Sequence, residues 1–304
     1  MEFKDIEYVC AIEEHKSITK AAESLFIAQP TLSQYIKNMQ KRLGVRLFRN
    51  EGNQILLTYE GERFAAEGTK LLLDRDILVN NLISSQKKGH GLLRIAIPLA
   101  RGSYLLPLIL PKFHAIYPHA QIKLQEDSSR NLVNLIKEGL SDIVLINKPR
   151  FPLNIEYETL GYERMLLVMN RESPYKSKIT YNDQGQACIS ITDCSDASFI
   201  LHQPYQHTGQ LERCIFKNAG ISPNVILETK NLVASYRLAA AGYGLTFLSE
   251  HHINHLKNNN EAIYCQIPDP IANSEFIAGY KNKKELSFLS REFIRILTEN
   301  MPPM

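Results

Sequence analysis

Apolar residues recur at helical spacing through the start of the chain. They predict a first amphipathic helix whose buried face carries Phe3, Ile6, Val9 and Cys10. A break after Glu14 is followed by a second short segment, Lys20 to Leu25, which the pattern also predicts as a helix. Thr19 is a plausible N-cap for it, since its hydroxyl can accept a hydrogen bond from an unpaired backbone N–H.

The third predicted helix has clear signals at both ends. Pro30 sits in its first turn, where a missing N–H costs nothing, and Gly44 ends it. The positions expected to face inward are Leu32, Ile36, Met39 and Leu43. A short helix, a tight turn and a longer helix predict a helix-turn-helix. The apolar runs 47–48 and 55–58, separated by a polar tip, predict a hairpin that forms a wing.

One long helix without proline is predicted from Tyr59 to about Gln86. Its apolar residues follow alternating steps of four and three, the spacing of a coiled-coil seam. The predicted seam includes Phe64, Gly68, Leu71, Leu78 and Leu82. The glycine-containing segment 87–91 then predicts a hinge.

Beyond residue 91, short apolar strands alternate with helices. Representative pairs are the strand Leu92–Ile97 with the helix Tyr104–Tyr117, and the strand Phe199–Leu201 with the helix Gly209–Ala219. Such alternation predicts an α/β fold built on a parallel sheet. A last helix, Ser287–Leu297, is expected to return to the first lobe of this region.

Charge adds information through its distribution. The net charge of the 304-residue chain is only +3, but the stretch from Ala28 to Asn50 holds lysines and arginines with no acid. A stretch of one sign within a compact unit favours binding to a polyanion. The solvent side of the third helix carries glutamine, serine and threonine, which can read base edges, while Lys37 can contact phosphate.

These residues carry a family resemblance. The run SITKAAESLFIAQPTLSQYI at 17–36, with LGVRLF at 43–48 and LTYEG at 57–61, resembles the amino-terminal signature of LysR-type transcriptional regulators. The resemblance implies a sequence-specific regulator, with double-stranded DNA as partner, whose DNA binding is modulated by a small-molecule effector. The residues expected to contact DNA are Thr19, Gln29, Pro30, Thr31, Ser33, Gln34, Lys37, Arg49, Asn53 and Gln54.

The same resemblance sets the domain organisation. It implies a winged helix-turn-helix domain at 1–58, a dimerisation helix and hinge at 59–90, and a two-lobed, periplasmic-binding-protein-like α/β effector domain at 91–304. Lobe I is expected at about 91–160 and 268–304, and lobe II at about 161–267. Self-association is expected as a dimer, and as a tetramer made of two dimers. The residues assigned to dimerisation are Phe64, Leu71, Leu78 and Leu82.

Ligands of α/β sheets bind beyond the carboxyl ends of strands, where helix N-termini favour anions. Together with the resemblance, this rule predicts an effector site formed by Ala100, Arg101, Gly102, Ser103, Ser128, Ser129, Asn147, His202, Gln203 and Thr246. Arg101 and the serine hydroxyls suit a carboxylate or another small anion. No cofactor is expected.

Other classes of function are weaker alternatives. The sequence carries no hydrolase, zinc-protease or nucleotide-binding motif, so an enzyme is not expected. His251, His252 and His255 form a local cluster, but we expect them to be solvated rather than to bind metal. No signal peptide or membrane-spanning run is present, which predicts a cytoplasmic protein. A thiol-based redox sensor using Cys188 and Cys194 remains open, although Asp193 and Asp196 are unfavourable neighbours for a reactive thiolate.

Overall fold

The computed structural model describes residues 1–52, 54–86, 89–256 and 261–301, and it divides into two compact units between residues 87 and 88. The elements of the first unit are α1 (Phe3–His15), α2 (Ile18–Ser24), α3 (Gln29–Leu43), β1 (Phe48–Glu51), β2 (Gln54–Leu57) and α4 (Tyr59–Gln86). The predicted helix-turn-helix, wing and long helix are all present. The predicted hinge residues Lys87 and Lys88 lie outside the described residues.

The helix-turn-helix forms for the reasons that the sequence suggested, with one exception. Ile6, Ile12 and Leu32 are fully buried between the helices, and Gly44 ends α3 with φ +69°. The prediction that Thr19 caps α2 is wrong, because α2 begins earlier and Ser17 Oγ accepts the Lys20 N–H at 3.4 Å. Thr19 therefore lies in the first turn, where its side chain is exposed.

A glutamine joins the third helix to the wing. Gln40 Oε1 accepts hydrogen bonds from the backbone N–H groups of Leu47, at 2.7 Å, and Phe48, at 3.3 Å. β1 and β2 pair antiparallel from that point. The orientation of the wing relative to α3 is thus fixed by a side chain of α3 itself.

The second unit is an α/β domain. Its strands are β3 (Gly91–Ala96), β4 (Ala120–Gln125), β5 (Ile143–Asn147), β6 (Glu156–Asn170), β7 (Thr180–Tyr181), β8 (Ala187–Cys188), β9 (Ser198–His202), β10 (Asn224–Thr229), β11 (Thr246–Ser249), β12 (Ala262–Gln266) and β13 (Asn273–Tyr280). Its helices are α5 (Leu99–Ile116), α6 (Ser129–Lys137), α7 (His207–Ala219), α8 (Leu232–Ala240), α9 (Glu250–Leu256) and α10 (Phe288–Asn300). None of the described helices is long and apolar enough to cross a membrane.

The strand pairing is mixed rather than purely parallel as predicted. β3 pairs parallel with β4 and β5, whereas β13 runs antiparallel to β5 and β6. The 15-residue strand β6 pairs with β13 along its first part and with β11 and β12 along Met165–Asn170. It therefore passes from one lobe to the other. Alternation along the chain could not reveal this, because β13 comes more than a hundred residues after β6.

Each lobe has its own apolar core. In lobe I the last helix α10 packs against α5, and Phe113 meets Phe293 with ring centroids 5.3 Å apart. In lobe II Phe199, Phe216 and Phe247 form a cluster of stacked and edge-to-face rings. The predicted return of the last helix to lobe I is confirmed.

Candidate functional site

One face of α3 projects polar side chains into solvent. Gln29, Pro30, Thr31, Gln34 and Lys37 are exposed, and Ser33 is half-buried. Gln34 Nε2 donates a hydrogen bond to Asn38 Oδ1 at 2.9 Å, which orients the amide along the helix surface. On the wing, Arg49 and Gln54 are exposed, and Asn53 lies outside the described residues.

The basic stretch offers fewer free cations than its composition indicates. The guanidinium of Arg42 binds the buried carboxylate of Asp5 at 2.7 Å, and Tyr35 donates to the same carboxylate. Burial alone raises the pKa of Asp5, but these hydrogen bonds and one from the Glu2 backbone outweigh it and hold the pKa below its usual value. Arg42 therefore ties α3 to α1 within the unit. Lys37, Lys41 and Arg46 remain as exposed cations.

The long helix α4 is packed against the core of the first unit near its start and is more exposed further along. Ala65 is buried, Phe64 packs on the core of the first unit, and a Cβ at Gly68 would lie 2.5 Å from Ile6 Cγ2. Phe64 is half-buried against its own domain, and its assignment to a dimer seam stays a prediction. The other three predicted seam residues are 43%, 61% and 60% exposed, namely Leu71, Leu78 and Leu82.

The second unit contains a cavity of about 780 Å³ lined by both lobes. The first residues of four helices border it, because α5, α6, α7 and α8 all begin there. The predicted effector residues that line it are Ala100, Arg101, Ser103, Ser128, Ser129 and Asn147. α5 begins at Leu99, five residues before the predicted Tyr104, so the segment expected as a loop is its first turn.

The four other predicted effector residues do not line this cavity. Gly102 borders a separate groove of lobe I instead. Thr246 is fully buried and donates its hydroxyl hydrogen to the Ile200 carbonyl at 2.8 Å. The Gln203 backbone forms the turn before α7, where a Cβ at Gly209 would lie 2.2 Å from the Gln203 carbonyl oxygen. These three residues do not contribute to the cavity, because Thr246 is packed in the interior, Gln203 belongs to the turn before α7 and Gly102 borders the separate groove.

His202 also points into the protein interior. Its Nδ1 lies 2.6 Å from Glu212 Oε1 and its Nε2 lies 2.9 Å from Ser235 Oγ, and all three residues are fully buried. Burial raises the pKa of Glu212, although the hydrogen bonds from His202 act in the opposite sense. This network joins β9 to α7 and α8, so it positions two of the four helices whose first residues border the cavity.

The floor of the cavity holds an ion pair that sequence reasoning missed. Arg101 donates to Glu163 Oε1 at 2.7 Å and to Tyr104 Oη at 2.9 Å, and it also hydrogen-bonds Asn147. Burial alone raises the pKa of Glu163, but Arg101 and Asn147 reverse the effect and lower it to about 2. Arg101 is therefore not a free positive charge. Glu163 lies within β6, where no motif marks it.

Two histidines flank this pair. His207 Nε2 lies 3.0 Å from Ser274 Oγ, and His252 Nδ1 lies 2.8 Å from Ser249 Oγ. The expectation that the 251–255 cluster is solvated is wrong for His251, which is 8% exposed, and for His252, which lines the cavity and meets the Tyr104 ring edge-on. Among the described residues no group with metal-ligand geometry occurs.

We expect the stability of the second unit to fall between pH 6.5 and pH 5. Burial, the largest cause, lowers the pKa of both His207 and His252 from 6.5 to about 4. The unfolded chain therefore binds more protons in this window, and stability falls as the pH falls. Melting temperatures from pH 7 to pH 5 test this. The H207Q/H252Q variant should show a flatter profile, whereas the exposed-site control H114Q should keep the full slope. Equal slopes for both variants would contradict the assignment.

The environments of Cys188 and Cys194 differ from that of a reactive thiol, which is acidic and accessible. Cys194 is fully buried in the core of lobe II, and burial raises its pKa to about 11. Cys188 is half-buried, and its thiol donates to the Gln186 carbonyl at 3.5 Å. A thiolate is the reactive species, so burial of Cys194 disfavours redox chemistry there.

Each of the two units matches a known protein family model. Residues 3–62 match the profile of the bacterial regulatory helix-turn-helix protein, lysR family, and residues 86–302 match that of the LysR substrate binding domain. The chain belongs to the LysR family of transcriptional regulators. It is a DNA-binding transcriptional regulator with an effector-binding domain, as the sequence resemblance implied.

Similar proteins extend over nearly the whole chain. The uncharacterized HTH-type transcriptional regulator YcgK of Bacillus subtilis is 29% identical over 315 residues, covering 99% of this chain and 95% of that protein. The transcriptional dual regulator OxyR of Escherichia coli is 24% identical over 272 residues, covering 89% and 87%. Among solved structures, full-length CbnR in complex with its target DNA superimposes with a TM-score of 0.72 at 20% identity, covering 99% of this chain and 100% of CbnR. At this identity the likeness shows the fold of this regulator.

Proposed function

We propose that the exposed face of α3 enters the major groove and reads the operator. The observation that carries this is the continuous polar surface of Gln29, Thr31, Ser33 and Gln34 on a helix whose opposite side is buried. Amide and hydroxyl side chains match the donors and acceptors of base edges. Contacts to the sugar-phosphate backbone of the DNA come from Thr19, Pro30 and Lys37 and from the wing residues Arg49 and Gln54. Selection of bound fragments from upstream genomic DNA tests the proposal, and recovery without a shared motif contradicts it.

The cavity of the second unit is the effector site in this proposal. Its volume of about 780 Å³ suits a small molecule, and it lies between two lobes joined by the continuous strand β6. A ligand that binds one separation of the lobes more tightly shifts the population toward that state. DNA binding then responds to the effector because both units belong to one chain.

We further propose that the regulator is a homodimer formed through the exposed part of α4. Leu71 and Leu78 lie seven positions apart on the same helix face, and a stripe of this kind is buried by a partner helix in coiled coils. A pair of such dimers gives the tetramer implied by the resemblance.

The substitution L78E is expected to dissociate this dimer. A carboxylate at the centre of an apolar seam loses its hydration without gaining a partner. Sedimentation velocity of the full chain should show a shift to the monomer mass. The control A66E places the same charge at an exposed position on another face of α4 and should leave the mass unchanged. A dimer that survives L78E contradicts the assignment of this seam.

The likeness to OxyR raises a redox sensor as the second candidate, and the setting of the cysteines argues against it. With the pKa of Cys194 at about 11, almost none of this thiol is ionised at neutral pH. We therefore expect hydrogen peroxide to leave DNA affinity unchanged. Gel-shift titrations before and after peroxide treatment measure this, with C188S/C194S as the control. A peroxide response that dithiothreitol reverses, and that the double variant lacks, would favour the sensor instead.

A further inference from the structure

The floor of the effector cavity is electrically balanced. The guanidinium of Arg101 lies 2.7 Å from Glu163 Oε1 and 4.1 Å from the centre of the Phe276 ring, and both charged residues are about 95% buried. His207 and His252, which flank the pair, have pKa values lowered to about 4 and are neutral at pH 7. A ligand that reaches the floor therefore meets no net charge.

Two buried polar atoms of residues that line the cavity lack a hydrogen-bond partner among the described residues, Glu163 Oε2 and His252 Nε2. Glu163 Oε1 accepts hydrogen bonds from both Arg101 and Asn147. Glu163 Oε2, by contrast, is shielded from solvent and has no hydrogen-bond partner among the described residues. A buried carboxylate oxygen without a donor is unfavourable, and ordinarily such groups are paired. Glu163 lines the cavity, so a ligand can supply the missing donor.

The walls above the floor are largely apolar. Leu99 lines the cavity from lobe I, and Met165, Leu211, Leu232 and Val233 line it from lobe II. Charged residues of both signs are exposed at its edge, namely Glu126, Asp127, Arg164 and Lys230. The cavity is therefore lined largely by apolar surface and ends at a carboxylate oxygen that lacks a donor, and it also carries the unpaired Nε2 of His252.

We propose that the effector of this regulator is an amphipathic molecule with an apolar body and an uncharged donor group, a hydroxyl or an amide N–H, which it inserts against Glu163 Oε2. The inference rests on the assignment of this cavity as the effector site. It replaces the small anion expected from the sequence, because a carboxylate at the floor meets the unpaired oxygen of Glu163 while Arg101 is already neutralised. A cationic amine is also disfavoured, because the guanidinium of Arg101 lies beside the same carboxylate.

Four probes that share one ring and differ in their polar group test the proposal. Benzyl alcohol, benzamide, benzoate and benzylamine are titrated into the full-length protein, and binding is followed by saturation-transfer NMR of the probe. We expect the dissociation constants of benzyl alcohol and benzamide to be at least about tenfold below those of benzoate and benzylamine, because only the neutral donors satisfy Glu163 without adding a buried charge.

The E163Q variant gives the sharper result. Removing the carboxylate leaves the charge of Arg101 uncompensated, so benzoate should become the preferred probe. The control E172Q makes the same chemical change at an exposed site outside the cavity and should keep the wild-type order. If E163Q does not fold, R101Q/E163Q removes both charges together and should bind benzyl alcohol and benzoate with dissociation constants within about threefold of each other.

Several results overturn the proposal. They are a wild-type protein that prefers benzoate or benzylamine, one that binds none of the four probes, and an order that E163Q leaves unchanged. Saturation-transfer NMR reports whether a probe binds but not whether it changes DNA binding. DNA affinity is therefore measured separately by gel shift. Probes that bind in the expected order without changing DNA affinity contradict effector control of DNA binding, and leave the recognition of a neutral donor standing.

Discussion

Replacing Arg101 with leucine is expected to lower the free energy of unfolding of the second unit by about 3–5 kcal/mol, the range for breaking a buried ion pair. The reason is the partner left behind. Glu163 is 4% exposed, and its carboxylate loses the guanidinium that keeps its pKa at about 2. Asn147 alone would then hydrogen-bond the charge. Urea unfolding followed by circular dichroism measures the loss.

Two further variants show whether the loss comes from the unpaired charge. R101L/E163L removes both partners, and it should be much less destabilised than R101L, since apolar groups of similar volume often replace a buried pair at little cost. R164L makes the same substitution at the neighbouring exposed arginine and should change stability by less than about 1 kcal/mol. If R101L were no less stable than R164L, Arg101 and Glu163 would not be a buried, coupled ion pair.

The double variant T31A/Q34A is expected to weaken operator binding by at least about thirtyfold, because each base contact contributes roughly 1–3 kcal/mol of discrimination. Both side chains are exposed on α3, so their truncation leaves the core of the first unit intact. Quantitative gel shifts on operator and on unrelated DNA measure the change. The loss should be confined to the operator.

The contrast with a phosphate contact sharpens this test. K37A removes an exposed cation from the same helix and should weaken binding to operator and unrelated DNA by similar factors. If T31A/Q34A behaved like K37A, the two polar residues would position the protein without reading sequence.

The sequence predicted the first unit well because its signals are local. Pro30 and Gly44 bracket α3, and a proline-free run sets α4 from Tyr59 to Gln86, so neighbouring residues decide each boundary. The dimer seam stays a prediction. Phe64 and Leu78 share the same heptad spacing, and only the fold shows that Phe64 packs on the core of the first unit whereas Leu78 is exposed.

The cavity of the second unit was partly predicted from the sequence for a related reason. Ser128 and Ser129 follow β4, Asn147 is the last residue of β5, and all three line the cavity, as the strand-end rule requires. His202 follows the same rule in sequence but is turned inward by Glu212 and Ser235, which are distant along the chain. Glu163 was missed altogether, because it lies inside a strand whose antiparallel partner comes a hundred residues later.

Protection of guanine N7 against dimethyl sulfate tests most directly whether α3 reads DNA from the major groove, since N7 is exposed in that groove. On the region upstream of the regulator's own gene, the wild-type protein should protect guanines in two patches about one helical turn apart or a multiple of that, as expected for a dimer. T31A/Q34A should lose this protection at the same concentration. Binding that leaves every N7 reactive would contradict the placement of α3 in the major groove.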